Sequence, residues 1–251
     1  MCRHIDKTLV EWKNNPFHKP LLLRGARQVG KSSAVRHFSE QFEYFAEGNF
    51  ERDKDFSTFF RGSLDVRLIC SKLSNFLQVP IVAGKTLLFF DEIQSCPEAI
   101  MALRFFKEDY PELHVVAAGS LLEFALQGLP TFGVGRIHSV FMYPMTFDEF
   151  VMANGMEGLL SARNLADFSH PLDEAFHDKL VEQFRLYLLV GGMPEAVAMW
   201  KTTSDLLQCQ RIHDDIMLTY EDDFSKYSRR VSPVLLRLAL HGVCHQLGMN
   251  L

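Results

Sequence analysis

The sequence predicts an α/β fold in three layers, a sheet of parallel strands with helices on both faces, followed by a helical C-terminal region. Three observations predict it. Leu21-Leu22-Leu23 is a short apolar strand that runs into Gly25-x-x-x-x-Gly30-Lys31-Ser32 and then into a helical stretch. Thr86-Leu87-Leu88-Phe89-Phe90 is a second apolar run, and it ends in Asp91-Glu92. A continuous apolar run suits a parallel strand buried on both faces, and open sheets of that kind hold ligands at the carboxyl ends of their strands. Beyond Pro171 the apolar spacing is helical throughout.

Taken in order, Ile5, Leu9, Val10 and Trp12 mark an amphipathic helix over residues 5–13, ended by Asn14-Asn15-Pro16. The first strand and its glycine loop follow. Ala34, Val35 and Phe38 then share one face of the next helix. Residues 42–50 read as a second strand. Residues 53–77 read as a charged helical region whose packed positions are Leu64, Leu68, Leu73 and Leu77, broken by Val79-Pro80. After the strand ending at Asp91 come a helix over residues 97–109, with Ile100, Leu103 and Phe106 inward, and a buried strand over residues 113–120. A further helix begins at Leu121-Leu122. The β-branched and aromatic run after Arg136 is a fifth strand. Thr146 caps the helix that follows, with Glu149 three residues on completing a capping box.

From Asn154 to Pro171 the composition turns to Gly, Ser, Asn and Asp, which places the boundary of the core there. The domains expected are a core over residues 1–155, a helical region over 156–228 and a last element over 229–251. In the helical region, one helix runs through Leu180, Phe184 and Tyr187 to Val190 and stops at Gly191-Gly192; a second covers residues 195–200. A third runs from Asp205 through Ile212, Ile216 and Tyr220 into Glu221-Asp222-Asp223, a run expected to form a solvated face. Residues 233–247 are apolar at helical spacing.

The glycine loop has the spelling of a phosphate-binding P-loop. Gly25 and Gly30 let the backbone turn so that the N–H groups of Gly25, Ala26, Arg27, Gln28, Val29, Gly30, Lys31, Ser32 and Ser33 can face phosphate oxygens. The helix start adds the positive end of its dipole. Lys31 is placed to reach the β- and γ-phosphates, and the Ser32 hydroxyl to ligate Mg²⁺. The acids ending the Thr86 strand form the Walker B pattern, with Asp91 assigned to Mg²⁺ and Glu92 to the attacking water. Nucleotide kinases and Ras-like GTPases usually lack that second acid, and no Asn-Lys-x-Asp guanine-reading motif occurs, so ATP is favoured over GTP. Ser120, ending the strand expected between the P-loop and Walker B strands, is either a γ-phosphate sensor or plain turn chemistry. Arg136, just before the fifth strand, is either a solvated side chain or a γ-phosphate contact, in cis or across a subunit interface.

Composition narrows the rest. The 251 residues are 47% hydrophobic, enough for a substantial core. A net charge of −5 disfavours nucleic-acid binding other than through a local basic patch. No apolar run reaches the length of a membrane span and the first residues carry no apolar signal region, so no membrane role and a cytoplasmic setting are expected. Cys2, Cys70, Cys96, Cys209 and Cys244 show no Cys-x-x-Cys spacing and read as free thiols of a reducing compartment. His241 and His245, one helical turn apart, have no acidic or cysteine partner in sequence and read as structural.

Several stretches together resemble the AAA-type ATPases of bacteria and archaea known only as ATP-binding proteins, in which an ATPase module precedes a C-terminal domain of unknown function. They are residues 21–32, Phe-Phe-Asp-Glu-Ile-Gln at 89–94, Ala-Gly-Ser at 118–120, Gly-Arg at 135–136 with Tyr-Pro-Met-Thr-Phe-Asp-Glu-Phe at 143–150, and Tyr-Leu-Leu-Val-Gly-Gly-Met-Pro-Glu-Ala at 187–196. The resemblance implies ATP binding by Gly25 to Ser33, metal binding and water activation by Asp91 and Glu92, and sensing near Ser120 and Arg136. It implies strand order 5-1-4-3-2, subunit contacts, and a client that is protein or DNA. It also implies relatives that continue into a winged-helix-like element and a nuclease-like domain, so residues 229–251 read as the start of the former. Two readings of function remain: a Mg²⁺-dependent ATPase driving its helical region, or a slow nucleotide switch or scaffold.

Overall fold

The structure is a computed structural model; it describes residues 3–120, 122, 126, 135–226 and 232–246. The chain divides into two compact units, Met1–Leu160 and Ser161–Leu251.

The first unit is built on a five-stranded sheet, β1 (Leu21–Arg24), β2 (Tyr44–Asn49), β3 (Thr86–Asp91), β4 (His114–Ala118) and β5 (His138–Phe141). Its order is β2-β3-β4-β1-β5, the predicted order read from the other edge, and every pairing is parallel. β1 pairs Leu23 with Ala118 on one side and with Val140 on the other, which makes it an interior strand. The three leucines of β1 and the whole of β3 and β4 are buried, as central strands covered on both faces must be. β5, at the edge, is mostly exposed.

Helices α1 (His4–Asn14), α2 (Lys31–Ser39), α3 (Val66–Leu77) and α4 (Pro97–Asp109) cover the sheet. α2 buries Ala34, Val35 and Phe38, and α4 buries Ile100, Leu103 and Phe106, the faces predicted. One layer is dominated by phenylalanine. Phe50, Phe56, Phe60, Phe90 and Phe106 form one cluster, with Phe60 edge-on to Phe90 at 5.5 Å and Phe50 edge-on to Phe56 at 5.1 Å. Edge-to-face pairs of this kind contribute about 0.5–1.5 kcal/mol beyond their buried area.

Residues 53–77 depart from the single helix expected. A 3-10 turn spans Lys54–Phe60, and α3 begins only at Val66, where the Asp65 carboxylate accepts from the N–H groups of Arg67 and Leu68 at 3.0 and 3.2 Å. Gly62, at φ +84°, lies between them. α3 buries Val66, Ile69, Cys70 and Leu73; the predicted Leu64 and Leu77 pack partly buried against the core, and the predicted Leu68 is exposed. Phe56 and Phe60 of the 3-10 turn are fully buried in the core cluster.

α5 (Phe147–Ala153) has the predicted cap. Thr146 Oγ1 accepts from Glu149 N at 3.3 Å, and Glu149 Oε2 accepts from Thr146 N at 2.8 Å. α6 (Glu157–Leu165) forms inside the stretch read as a boundary loop, burying Leu159 and Leu160. The helix read from Leu121 lies largely outside the described residues.

The second unit is helical, with α7 (Glu174–Val190), α8 (Pro194–Thr203), α9 (Leu206–Lys226) and α10 (Pro233–Gln246). α7 stops at Gly191, whose φ of +69° and N–H bond to Tyr187 O turn the chain out of the helix. His213 of α9 bonds Val190 O through Nε2 at 3.0 Å, and Cys209 Sγ donates to Ala196 O at 3.5 Å. α9 runs through the acidic residues 221–223 and does not end there. Nor is that run a purely solvated face: Asp223 is buried, and Glu221 pairs with Arg237 and His241 of α10 at 3.4 and 3.8 Å. Packing two helices against each other along this segment overrides its polarity.

Candidate functional site

The carboxyl ends of β1, β3 and β4 lie side by side, and the loops leaving them gather the polar residues. The loop after β1 is held by sterics as well as by hydrogen bonds. Gly25 has φ +143°, and a Cβ there would sit 2.1 Å from Met142 O, so the exit of β5 closes over a position that only glycine can occupy. Gln28 is also left-handed, at φ +64°, and Gly30 caps α2 at φ +94°. Val29 is fully buried, while Ala26, Gln28 and Ser33 face outward. The loop thus hangs from Val29 and presents its backbone. Lys31 Nζ donates to Gly25 O at 2.9 Å and Ala26 O at 2.7 Å, closing the loop on itself. Burial lowers the Lys31 ammonium pKa below its ordinary value, against the opposing pull of Glu92 and Asp91.

The two halves of the site meet at Asp91. Ser32 Oγ lies 2.9 and 3.0 Å from its two carboxylate oxygens. Asn49, which ends β2 in register with Asp91, donates through Nδ2 at 3.1 Å, and the Glu92 N–H donates at 3.1 Å. Arg36 of α2 stands 4.0 Å away and is held by Glu47 of β2. Burial raises the Asp91 pKa, and the Glu92 charge adds to that; the bonds from Ser32 and Asn49 offset only part of it. A hydroxyl beside a buried carboxylate is an oxygen donor set suited to Mg²⁺, which takes one or two protein ligands and completes its shell with water and phosphate oxygens. Among the described residues there is no cluster of three or more His, Cys, Asp or Glu side chains that would cage a metal by themselves.

Glu92 is the residue after β3. Its backbone is left-handed, φ +50° and ψ +43°, and Gln94 Nε2 donates to its carboxylate at 2.6 Å. Ser120 sits just past β4, the strand between β1 and β3, where Gly119 N donates to Leu23 O. Its hydroxyl is buried with no hydrogen-bond partner, an orphaned polar atom on the side of the sheet where the P-loop lies.

Arg136 is not gathered with these residues. It precedes β5, and its guanidinium pairs with Glu108 near the end of α4. β5 starts level with Leu21, the amino end of β1, so Arg136 lies at the edge of the sheet opposite the P-loop. A contact in cis with a phosphate at Lys31 does not fit this placement.

Arg3, Asn49, Arg36 and Gln94 were not among the residues the sequence singled out. Arg3 lies far away in the chain. Its Nε donates to Glu149 Oε1 at 3.0 Å, Nη1 to Val29 O of the P-loop at 3.1 Å and Nη2 to Tyr143 O at 2.9 Å. Glu149 also accepts from His4 N at 2.7 Å. Burial alone would raise the Glu149 pKa; the N–H groups of Thr146 and His4, with Arg3, hold it below the usual carboxylate range. Arg3 therefore ties α1, the P-loop and the α5 cap together. It also lines a cavity of about 210 Å³ with Tyr143, Pro144 and Thr146.

With that geometry in hand, comparison with protein families matches residues 17–151, more than half of the chain, to the family described as AAA domain. The chain belongs to this AAA family. Residues 181–251 match a domain of unknown function, DUF8612. Among solved structures, the Walker-type ATPase of Pyrococcus abyssi is 18% identical, over 91% of this chain and 77% of that one, with a TM-score of 0.53. The Aeropyrum pernix ORC1 protein, solved in complex with DNA, is 13% identical over 92% of this chain and 69% of that one, at a TM-score of 0.44. No curated protein matches the sequence. Membership of the AAA family and the likeness in fold agree with ATP binding and hydrolysis as the family-level activity. Among the described residues no helix of this AAA protein is long and apolar enough to cross a membrane.

Proposed function

We propose that this AAA protein is a Mg²⁺-dependent ATPase whose turnover moves its helical second unit. The observation that carries the proposal is the contact of Ser32 with Asp91, which joins the end of the P-loop to the end of β3 with Lys31 beside them. In this reading the N–H groups from Gly25 to Ser33 bind the phosphates, and the Lys31 ammonium turns from the loop carbonyls to the β- and γ-phosphates. The base end of the nucleotide occupies the cavity beside Arg3 and Tyr143. Mg²⁺, when bound, neutralises charge on the phosphates, and Ser32 and Asp91 are the residues to hold it. Glu92 accepts a proton from the attacking water. The unpartnered Ser120 hydroxyl has a phosphate oxygen as its partner. Arg136 acts in trans, in a homo-oligomer, at the site of a neighbouring copy.

Calorimetric titration of the full chain with ATP and GTP, each with Mg²⁺, tests the binding half of this proposal. ATP binding that weakens by roughly 10-fold or more in Lys31→Ala, with GTP bound more weakly than ATP, is expected. Absence of ATP binding by the unaltered chain would contradict it.

A further inference from the structure

Asp91 and Glu92 are adjacent acids with different surroundings. Asp91 is committed to Ser32, Asn49 and a backbone N–H. Glu92 is held by Gln94, whose Nε2 lies 2.6 Å from Glu92 Oε2. Gln94 belongs to the short 3-10 turn Ile93–Ser95 that leaves β3.

The other end of the Gln94 amide is lodged over Gly119. Its Oε1 is buried and has no hydrogen-bond partner. A Cβ at Gly119 would stand 2.3 Å from that oxygen and 2.9 Å from Leu122 Cγ. The slot therefore exists because residue 119 has no side chain, and it fixes the amide on the oxygen side while its nitrogen reaches Glu92. The neutral amide restrains the carboxylate by hydrogen bonding through its N–H. A base for water requires a fixed direction within hydrogen-bond reach of the proton it takes. The left-handed backbone of Glu92 fixes the other end of the same side chain.

We propose that Gln94, seated in the slot over Gly119, is a positioning residue that aims the Glu92 carboxylate at the attacking water. The proposal rests on the assignment of Glu92 as that base.

The test is kcat and KM for MgATP in the full chain, measured for the unaltered protein, Gln94→Ala and Gly119→Ala, with ATP affinity measured in parallel. Gln94→Ala is expected to lower kcat by roughly 10- to 100-fold, the scale of an ångström of misplacement, with ATP affinity unchanged. Gly119→Ala reproduces that defect by pushing the amide out of its slot. Turnover in Gln94→Ala equal to that of the unaltered protein would overturn the proposal and leave the ATPase reading standing. An unaltered chain that binds ATP and does not turn it over would overturn the assignment of Glu92, and the role of Gln94 with it.

Discussion

The Ser32 hydroxyl and the Asp91 carboxylate are 59 positions apart in the chain and in direct hydrogen-bond contact, at 2.9 and 3.0 Å. Neither residue reaches the other by local structure. Their meeting follows from β1 and β3 flanking β4 in one parallel sheet, with α2 and Asp91 both at its carboxyl edge.

Asp91 should therefore control the metal requirement. Asp91→Ala is expected to lower turnover by roughly 100-fold or more while the protein stays folded, since it removes one of the two oxygen ligands proposed for Mg²⁺. Because burial raises its pKa, Asp91 takes up its proton at a higher pH than an ordinary aspartate. The Mg²⁺ concentration needed for half-maximal turnover should then begin to climb, as pH falls, above the ordinary aspartate value of about 3.9. Mg²⁺ titrations of turnover at several pH values check this, and a requirement that stays flat down to that value would contradict it.

Arg3 and Glu149 hold the P-loop from the side. Their ion pair is 3.0 Å long with both side chains at least nine-tenths buried. Glu149→Ala leaves a buried guanidinium unpaired and is expected to cost about 3 kcal/mol of stability in denaturant melts at neutral pH. The folded-state pKa of Glu149 is depressed, so its contribution is present above its ordinary value and is lost as pH falls through the folded value. The difference between Glu149→Ala and the unaltered protein should therefore shrink in acid. A difference that does not change with pH would count against the pair as the source.

His114 predicts a second acid effect at higher pH. It is stacked on His18 at 4.1 Å and edge-on to Trp12 and Phe42, and its Nε2 contacts Lys13 O. Burial, with His18 adding to it, pushes its pKa down to about 4. The unfolded chain, with histidine near 6.5, binds the proton first, so stability is full above about 6.5 and is lost as pH falls from there toward 4. His114→Phe keeps an aromatic ring in the cluster and should flatten that slope in pH-dependent melts. An unchanged slope would place the titrating group elsewhere.

Arg136, at the sheet edge away from its own P-loop and paired with Glu108, predicts complementation between copies. Arg136→Ala and Lys31→Ala are each expected to be deficient in turnover. Mixed together they should regain part of it, because an intact Lys31 site can meet an intact Arg136 from the other copy. Mixtures no more active than the separate variants would exclude action in trans.

The sheet was legible because its strands announce themselves. β1, β3 and β4 are short, apolar and buried on both faces, and the two motifs mark two carboxyl ends, so polarity followed; the order came with the family resemblance. The P-loop, Asp91 and Glu92 were legible for the same reason, as local patterns with a fixed chemistry. What could not be read was set by contacts across the chain. Leu68 faces outward because Ile69 and Cys70 beside it take the packed side of α3. Asn49 enters the site only through the β2–β3 register. Arg3 arrives from more than 140 positions before Glu149, with nothing in its neighbourhood to mark it. Gln94 stood inside the Phe-Phe-Asp-Glu-Ile-Gln segment, but its link to Glu92 appears only once Gly119 is seen beside it.

The most direct test of the central claim is phosphate release from MgATP by the full chain and by Glu92→Gln. The account predicts steady release by the unaltered protein, and a loss of roughly 100-fold or more in Glu92→Gln with ATP still bound at comparable affinity. Equal release by the two proteins would contradict it, because the acid just after β3 would then have no part in turning over the nucleotide.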